Sequence, residues 1–345
     1  MKACVLHDIG NLICEDVPDP KPSAGEVLLK IKASGVCGSD ISRVLKKGTY
    51  KFPTIPGHEF AGEIIGAGDS ADKTLIGKTA AVFPLLPCFN CALCETGEYA
   101  MCKNYGYFGS RNDGGFAEYI AVPVWNLVLC DGLSYEEAAM AEPAAVAVHA
   151  LGRAGVPLSG HIAVFGAGAI GLMLASYACA CGAGTVALFD IDTKRLDFAR
   201  QVGFEYAFDN STDEWFDQLM KLTDNKGADL AIEAAGVSAA VEGCLRAVKP
   251  AGKVVLTGNP GGDMRIRQHI YWEILRKQLN IYGTWNSDFN TNKNDWRAAL
   301  NMMKSKRVNL KPLVTHRFSL GECGEAFGLL TDTTRFSCRV MFINK

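Results

Sequence analysis

The sequence carries no surplus of charge of either sign. Its formal net charge at pH 7 is −2, and no run of lysine and arginine forms a stripe that would draw in nucleic acid or an anionic membrane. Internal repeats and low-complexity tracts are missing, so neither a repeat array nor a disordered tract is in view. The opening MKACVLHDIGNLICEDVPDP lacks the apolar core of a secretion signal and soon carries Asp8, Glu15, Asp16 and Asp19. The expectation is a cytoplasmic protein. An unbroken apolar span is lacking too. Residues Ile162–Phe189 run without a charge and are long enough to cross a bilayer, but Gly166, Gly168, Gly171, Gly182 and Gly184 interrupt them. The stretch reads as a strand, a glycine turn, a helix and a second strand.

Cysteine, by contrast, is plentiful. Thirteen is an odd number, which cannot all pair internally and fits buried thiols plus one metal cluster in a reducing compartment. Four of them, Cys88, Cys91, Cys94 and Cys102, crowd into PCFNCALCETGEYAMC with the spacing C-x2-C-x2-C-x7-C. A closed set of four thiolates has no room for substrate and matches a structural, tetrahedral zinc. An iron–sulfur cluster is the chemical alternative and a nucleic-acid zinc ribbon the other. The ribbon would need a basic face, whereas the lobe sets Glu95 and Glu98 against the single Lys103.

The length of 345 residues suffices for two domains. Before about residue 150, short β-like runs such as EVLLKIKASG, FAGEIIGAG and KTAAVFP are separated by Gly, Pro and Asp turns, predicting a small irregular β domain with the cysteine lobe at 84–104. From 151 to 286 strands alternate with helices, HIAVFGAG with AIGLMLASYACACG, TVALFDID with TKRLDFARQVG, and so on to NIYGTWN. That alternation predicts an α/β fold with a doubly wound parallel sheet. Residues 287–345 are too few for a domain and are expected to return to the first one.

The turn GAGAIG follows a strand and opens a helix, with Asp190 at the end of the next strand. Gly166 permits the tight turn, Gly168 lets the backbone approach a pyrophosphate beside Ile170, and Gly171 lets helix and strand pack. Asp190 would accept hydrogen bonds from the adenosine ribose and repel a 2′-phosphate, favouring NAD over NADP. Arg195 on the following helix can reach the same ribose or stand as a solvated charge. In the β domain, CGSD and GHEF bring Cys37 and His58, two ligands that zinc prefers; a catalytic zinc takes three and leaves a position open. The third is expected to be a carboxylate, Glu59 or Glu142 in AEPAAVAVHA.

These motifs in this order, CGSD, GHE, the four-cysteine lobe, DGGFAEY and GAGAIG followed by Asp190, resemble the zinc-dependent medium-chain alcohol and polyol dehydrogenases along essentially the whole chain. The resemblance implies a GroES-like β-rich catalytic domain, a Rossmann domain for NAD, one catalytic and one structural zinc, and oxidation of a secondary alcohol. It implies that Ser39 is the hydrogen-bond partner of the reacting oxygen and the first step of proton release, that Asp40 orients His58 from behind, and that Glu59, if not itself the third ligand, lies just behind the ligands and can swap with a zinc-bound water. PLLPCFNC, GSRNDGGFAEY and YGTWN are most similar to a branch acting on polyol phosphates, with an unphosphorylated polyol, sorbitol- or xylitol-like, as the alternative substrate. Lys46, Lys47, Lys51 and Arg111 lie in segments similar to substrate loops and offer cations for a phosphate. Trp285 and Asn286 could stack on and hydrogen-bond a polyol. The chain is expected to work as a homodimer or homotetramer on a small molecule. A non-catalytic binding protein on the same scaffold would be expected to lose Cys37, His58 and Glu142.

Overall fold

The computed structural model describes residues 1–345 and divides into two compact units. The first comprises Met1–Ala145, Asp288–Lys306 and Leu310–Lys345; the second comprises Val146–Ser287 and Arg307–Asn309. The chain passes from one to the other inside the helix Ala141–Ala154. No helix is long and apolar enough to cross a membrane.

The first unit is built on the strand Glu26–Gly35. Its Val27, Leu29, Ile31 and Ala33 alternate into the core while Leu28, Lys30 and Lys32 face outward, the period of two of a half-buried strand. It pairs antiparallel with Glu59–Ala67 and Tyr119–Pro123, and also with Arg339–Ile343 from the far end of the chain. Val314–Phe318, Thr79–Val82 and Leu127–Leu129 extend the sheet to seven strands. The core gathers Leu29, Ile31, Phe60, Ile64, Phe116 and Phe342, with the Phe116 and Phe342 rings 4.9 Å apart. Burying each such side chain contributes roughly 1.5–3 kcal/mol.

Six parallel strands form the sheet of the second unit, numbered here within it: β1 His161–Phe165, β2 Thr185–Asp190, β3 Ala207–Asp209, β4 Ala228–Glu233, β5 Val248–Leu256 and β6 Asn280–Gly283. Their spatial order, β3-β2-β1-β4-β5-β6, is the doubly wound Rossmann arrangement. It reverses direction between β1 and β4. Such sheets bind ligands outside the carboxyl ends of the strands at that switch point. The core packs Phe165 on Phe189, stacked at 4.7 Å, with Trp215 edge-on to both. Gly243 makes room for Phe165, since a Cβ there would lie 2.5 Å from its ring.

Candidate metal centre and cofactor site

Cys37 is the N-cap of the short helix Gly38–Ser42, and its backbone N–H donates to Asp40 Oδ2 at 3.0 Å. Asp40 is fully buried. Its Oδ1 accepts from Arg43 Nη1 at 2.8 Å and faces His58 Nδ1 at 3.3 Å. Burial alone would raise the Asp40 carboxyl, but His58, Arg43 and the Cys37 N–H outweigh it and hold it below the ordinary value. Arg43 Nη1 also donates to Ser39 Oγ at 3.2 Å.

Backbone packing places His58. Gly57 has φ +94°, and a Cβ there would strike the Phe116 ring at 2.4 Å. The loop Tyr107–Gly114 closes on that glycine: a Cβ on Gly109 or Gly114 would come within 2.6 and 2.1 Å of Gly57 O. The glycines in GSRNDGG therefore press one loop onto the residue before His58.

Cys37, His58 and Glu59 offer ligand atoms that all lie within 4.8 Å of one another. Of the two carboxylates left open by the sequence, Glu59 is the one in this set. Glu142 lies outside that set but near enough to feel His58, with Oε1 accepting from the Tyr107 hydroxyl at 3.5 Å, and its carboxyl is pushed up by burial against the pull of His58. Burial would lower His58, yet the facing Asp40 and Cys37 raise it well above its ordinary value; Cys37, which burial would raise, is lowered by His58. The buried cluster thus attracts positive charge. Thiolate, imidazole and carboxylate are a donor set that fits zinc, and the Asp40 contact at Nδ1 leaves Nε2 for a metal.

The four lobe cysteines also lie within 4.8 Å of one another, with Cys88 Sγ 3.5 Å from Cys102 Sγ and 3.9 Å from Cys94 Sγ. Sulfurs 2.3 Å from a tetrahedral centre lie about 3.8 Å apart, so these distances fit a closed zinc site. The Cys94 N–H pulls the Cys91 thiol down to about 6, while burial pushes Cys94 up to about 12. The lobe is fastened by Asn290 Nδ2 donating to Gly97 O at 3.0 Å and by Phe89 and Tyr99 packing edge-on against Trp125.

In the second unit, Gly166 turns with φ +113°, Gly168 is the N-cap of the helix Ala169–Ala180 with open space above it, and a Cβ on Gly171 would meet Gly166 O at 1.8 Å. Ile170 is half-buried in the first turn. Asp190 ends β2 with Oδ2 accepting from Ala167 N at 2.8 Å and Oδ1 from Asp192 N at 3.0 Å. Arg195 Nη1 stands 3.5 Å from Asp190 Oδ2. Free N–H groups at a helix start, a bare glycine and an acceptor at the end of β2 fit a dinucleotide.

The remaining candidates separate. Arg111 packs on two rings, its Cζ 3.9 Å from the Tyr50 centroid and 4.6 Å from that of Tyr105. Its Nε is buried without a hydrogen-bond partner. Lys47 is exposed at the end of a helical turn. Trp285, 62% exposed, and Asn286 belong to the second unit and follow β6. Sequence reasoning missed Tyr107, whose ring lies 5.7 Å from that of His58, and Arg339, which pairs with Glu59. The clustered glycines around Tyr107 were the available signal; nothing local marks Arg339.

The family model of the alcohol dehydrogenase GroES-like domain matches residues 23–132, and that of the zinc-binding dehydrogenase matches residues 169–305. Galactitol 1-phosphate 5-dehydrogenase of Escherichia coli (strain K12) is 35% identical over 326 residues, 93% of this chain and 94% of that protein. Sorbitol dehydrogenase of Bacillus subtilis (strain 168) is 33% identical over 94% of this chain and 92% of its own. The crystal structure of galactitol-1-phosphate dehydrogenase from Escherichia coli is similar with a TM-score of 0.92 at 31% identity, covering 100% of both chains.

Proposed function

The chain belongs to the zinc-dependent medium-chain alcohol and polyol dehydrogenases, and from that premise we propose that it oxidises a secondary alcohol of a polyol phosphate, with NAD, in the cytoplasm. Zinc held by Cys37, His58 and a carboxylate from Glu59 or Glu142 would supply the Lewis acidity that lets an alcohol lose its proton near neutral pH. NAD on the glycine turn and Asp190 would supply the hydride acceptor. The chain's own residues do the rest. Asp40 holds the His58 ring, and Tyr107 steadies the Glu142 carboxylate through its hydroxyl. Ser39 Oγ accepts from Arg43, which leaves its own O–H free to hydrogen-bond the reacting oxygen.

Arg111 is the observation that carries the substrate class. Two tyrosine ring faces hold its guanidinium, no carboxylate is paired with it, and its loop is pressed onto the neighbour of His58. A guanidinium so held offers its N–H edge to a phosphate, in a fork that lysine lacks. The test is NADH formation across paired polyols and polyol phosphates. A charge-assisted bond contributes about 1.5–3 kcal/mol, so Arg111→Ala should cost the ester roughly ten- to hundredfold in kcat/KM and leave the free polyol nearly unchanged. Equal effects on both would make the protein a general polyol dehydrogenase.

A homodimer or homotetramer is part of the same reading. β6 is an edge strand that leaves Ile281 exposed, and the preceding helix Gln268–Arg276 leaves Tyr271, Trp272 and Leu275 exposed. Light scattering on the purified protein tests it; a monomer at micromolar concentration would refute it.

A further inference from the structure

A buried carboxylate in the second unit has no part in the chemistry described so far. Glu233 is the last residue of β4, is 1% exposed, and has no basic side chain paired with it. Three backbone N–H groups take the place of a cation. Its Oε1 accepts from Ala235 N at 2.7 Å and Gly236 N at 2.6 Å, and its Oε2 accepts from Gly258 N at 3.1 Å. Ala235 and Gly236 lead away from β4, and Gly258 lies just beyond β5. One side chain therefore ties together the loops at the carboxyl ends of two neighbouring strands.

The packing around it is closed. A Cβ on Gly258 would lie 2.5 Å from Glu233 Oε2 and 2.2 Å from Gly236 N, and a Cβ on Gly236 would lie 2.6 Å from Asn259 O. The glycine turn rests on the same knot, since a Cβ on Gly166 would come within 3.0–3.1 Å of the Ala234 and Ala235 backbone.

The sheet order says which part of a dinucleotide this knot serves. The pyrophosphate belongs at the helix start after β1 and the adenosine ribose at Asp190 after β2, so the other half extends across the switch point, over β4 and β5. Resting on the NAD reading above, we infer that Glu233 is a positioning residue for the nicotinamide ring of the cofactor, holding the β4 and β5 loops in one binding-ready arrangement. A glutamine of the same shape cannot replace it. Its amide oxygen can accept on one side, but its NH2 then faces a backbone N–H on the other, donor against donor.

Equilibrium binding to the purified protein tests this, without turnover. ADP-ribose keeps the adenosine and pyrophosphate and lacks only the nicotinamide. In Glu233→Gln the affinity for NAD should fall about tenfold while that for ADP-ribose stays within about threefold. Gly258→Ala, which drives a methyl into the same knot, should show the same split and decides the matter if Glu233→Gln does not fold. Parallel losses for both ligands would make Glu233 a packing residue of the whole unit and overturn the inference, as would no loss for either. If the unaltered protein bound neither ligand, the cofactor reading would fail first and the inference with it.

Discussion

The carboxylate of Glu59 meets the guanidinium of Arg339 in an ion pair almost wholly out of water, the two residues being 1% and 4% exposed. Gly35 makes the space, for a Cβ there would lie 2.5 Å from Glu59 Oε2 and 2.8 Å from Arg339 Nη2. Removing one member of a buried pair strands the other charge, at a cost of about 3–5 kcal/mol. Arg339→Met should therefore lower the urea midpoint by a corresponding amount, and Gly35→Ala should depress activity by displacing Glu59. An unchanged midpoint in Arg339→Met would show that the pair contributes nothing to stability.

Metal content is the second expectation. The purified protein should carry up to two zinc ions per chain, as measured by elemental analysis. Cys37→Ala or His58→Ala should remove one and abolish turnover. Cys94→Ser should remove the other, because that cluster closes the lobe, and lower Tm while sparing most activity. Full activity after exhaustive chelation would exclude the metal mechanism.

Cofactor choice follows from Asp190. Its carboxylate is fixed by the Ala167 and Asp192 N–H groups, and, on the proposed reading that it receives the adenosine ribose, its charge would repel a 2′-phosphate. NADP should have a kcat/KM far below that of NAD, and Asp190→Ala should narrow the gap. Equal rates with both cofactors in the unaltered protein would contradict this assignment.

Stability should also respond to pH through Asp229. Burial alone would raise its carboxyl, but the Lys249 ammonium and the His161 N–H at 2.7 Å pull it below the ordinary value. A depressed carboxylate stabilises the fold above its unfolded pKa of about 4, and that contribution disappears as pH falls through the folded value. Lys249 is 42% exposed on its side chain, so the pair is worth about 1 kcal/mol at most. Asp229→Asn should lower Tm at pH 7, and the difference from the unaltered protein should close on acidification below pH 4. A gap independent of pH would assign the effect to packing.

Local pattern and long-range contact divide what was legible in the sequence. The strand–turn–helix alternation of the second unit and the four-cysteine spacing are written in consecutive residues, so period and spacing disclose them. The first unit is harder, because strands such as Leu85–Leu86 and Gly106–Tyr107 are too short to show a period. Arg111 was a plausible cation from its loop, but its two tyrosines come from Tyr50 and Tyr105, on either side of the His58 segment. Only the folded backbone brings them to one guanidinium. The choice between Glu59 and Glu142 stayed open for the same reason: both carboxylates lie close to His58, one by sequence and one by a helix that begins far along the chain.

The strand that delivers Arg339 is made long after Glu26–Gly35, the strand it pairs with. The second unit, by contrast, is nearly continuous and can assemble while the ribosome is still adding residues. Until Arg339–Ile343 emerges, residues Ala33–Gly35 lack their partner on that side and Glu59 lacks its counter-charge. A nascent chain could accordingly fold its second unit before Glu59 had its counter-charge, and removing residues from Arg339 onward should abolish turnover while leaving the second unit folded.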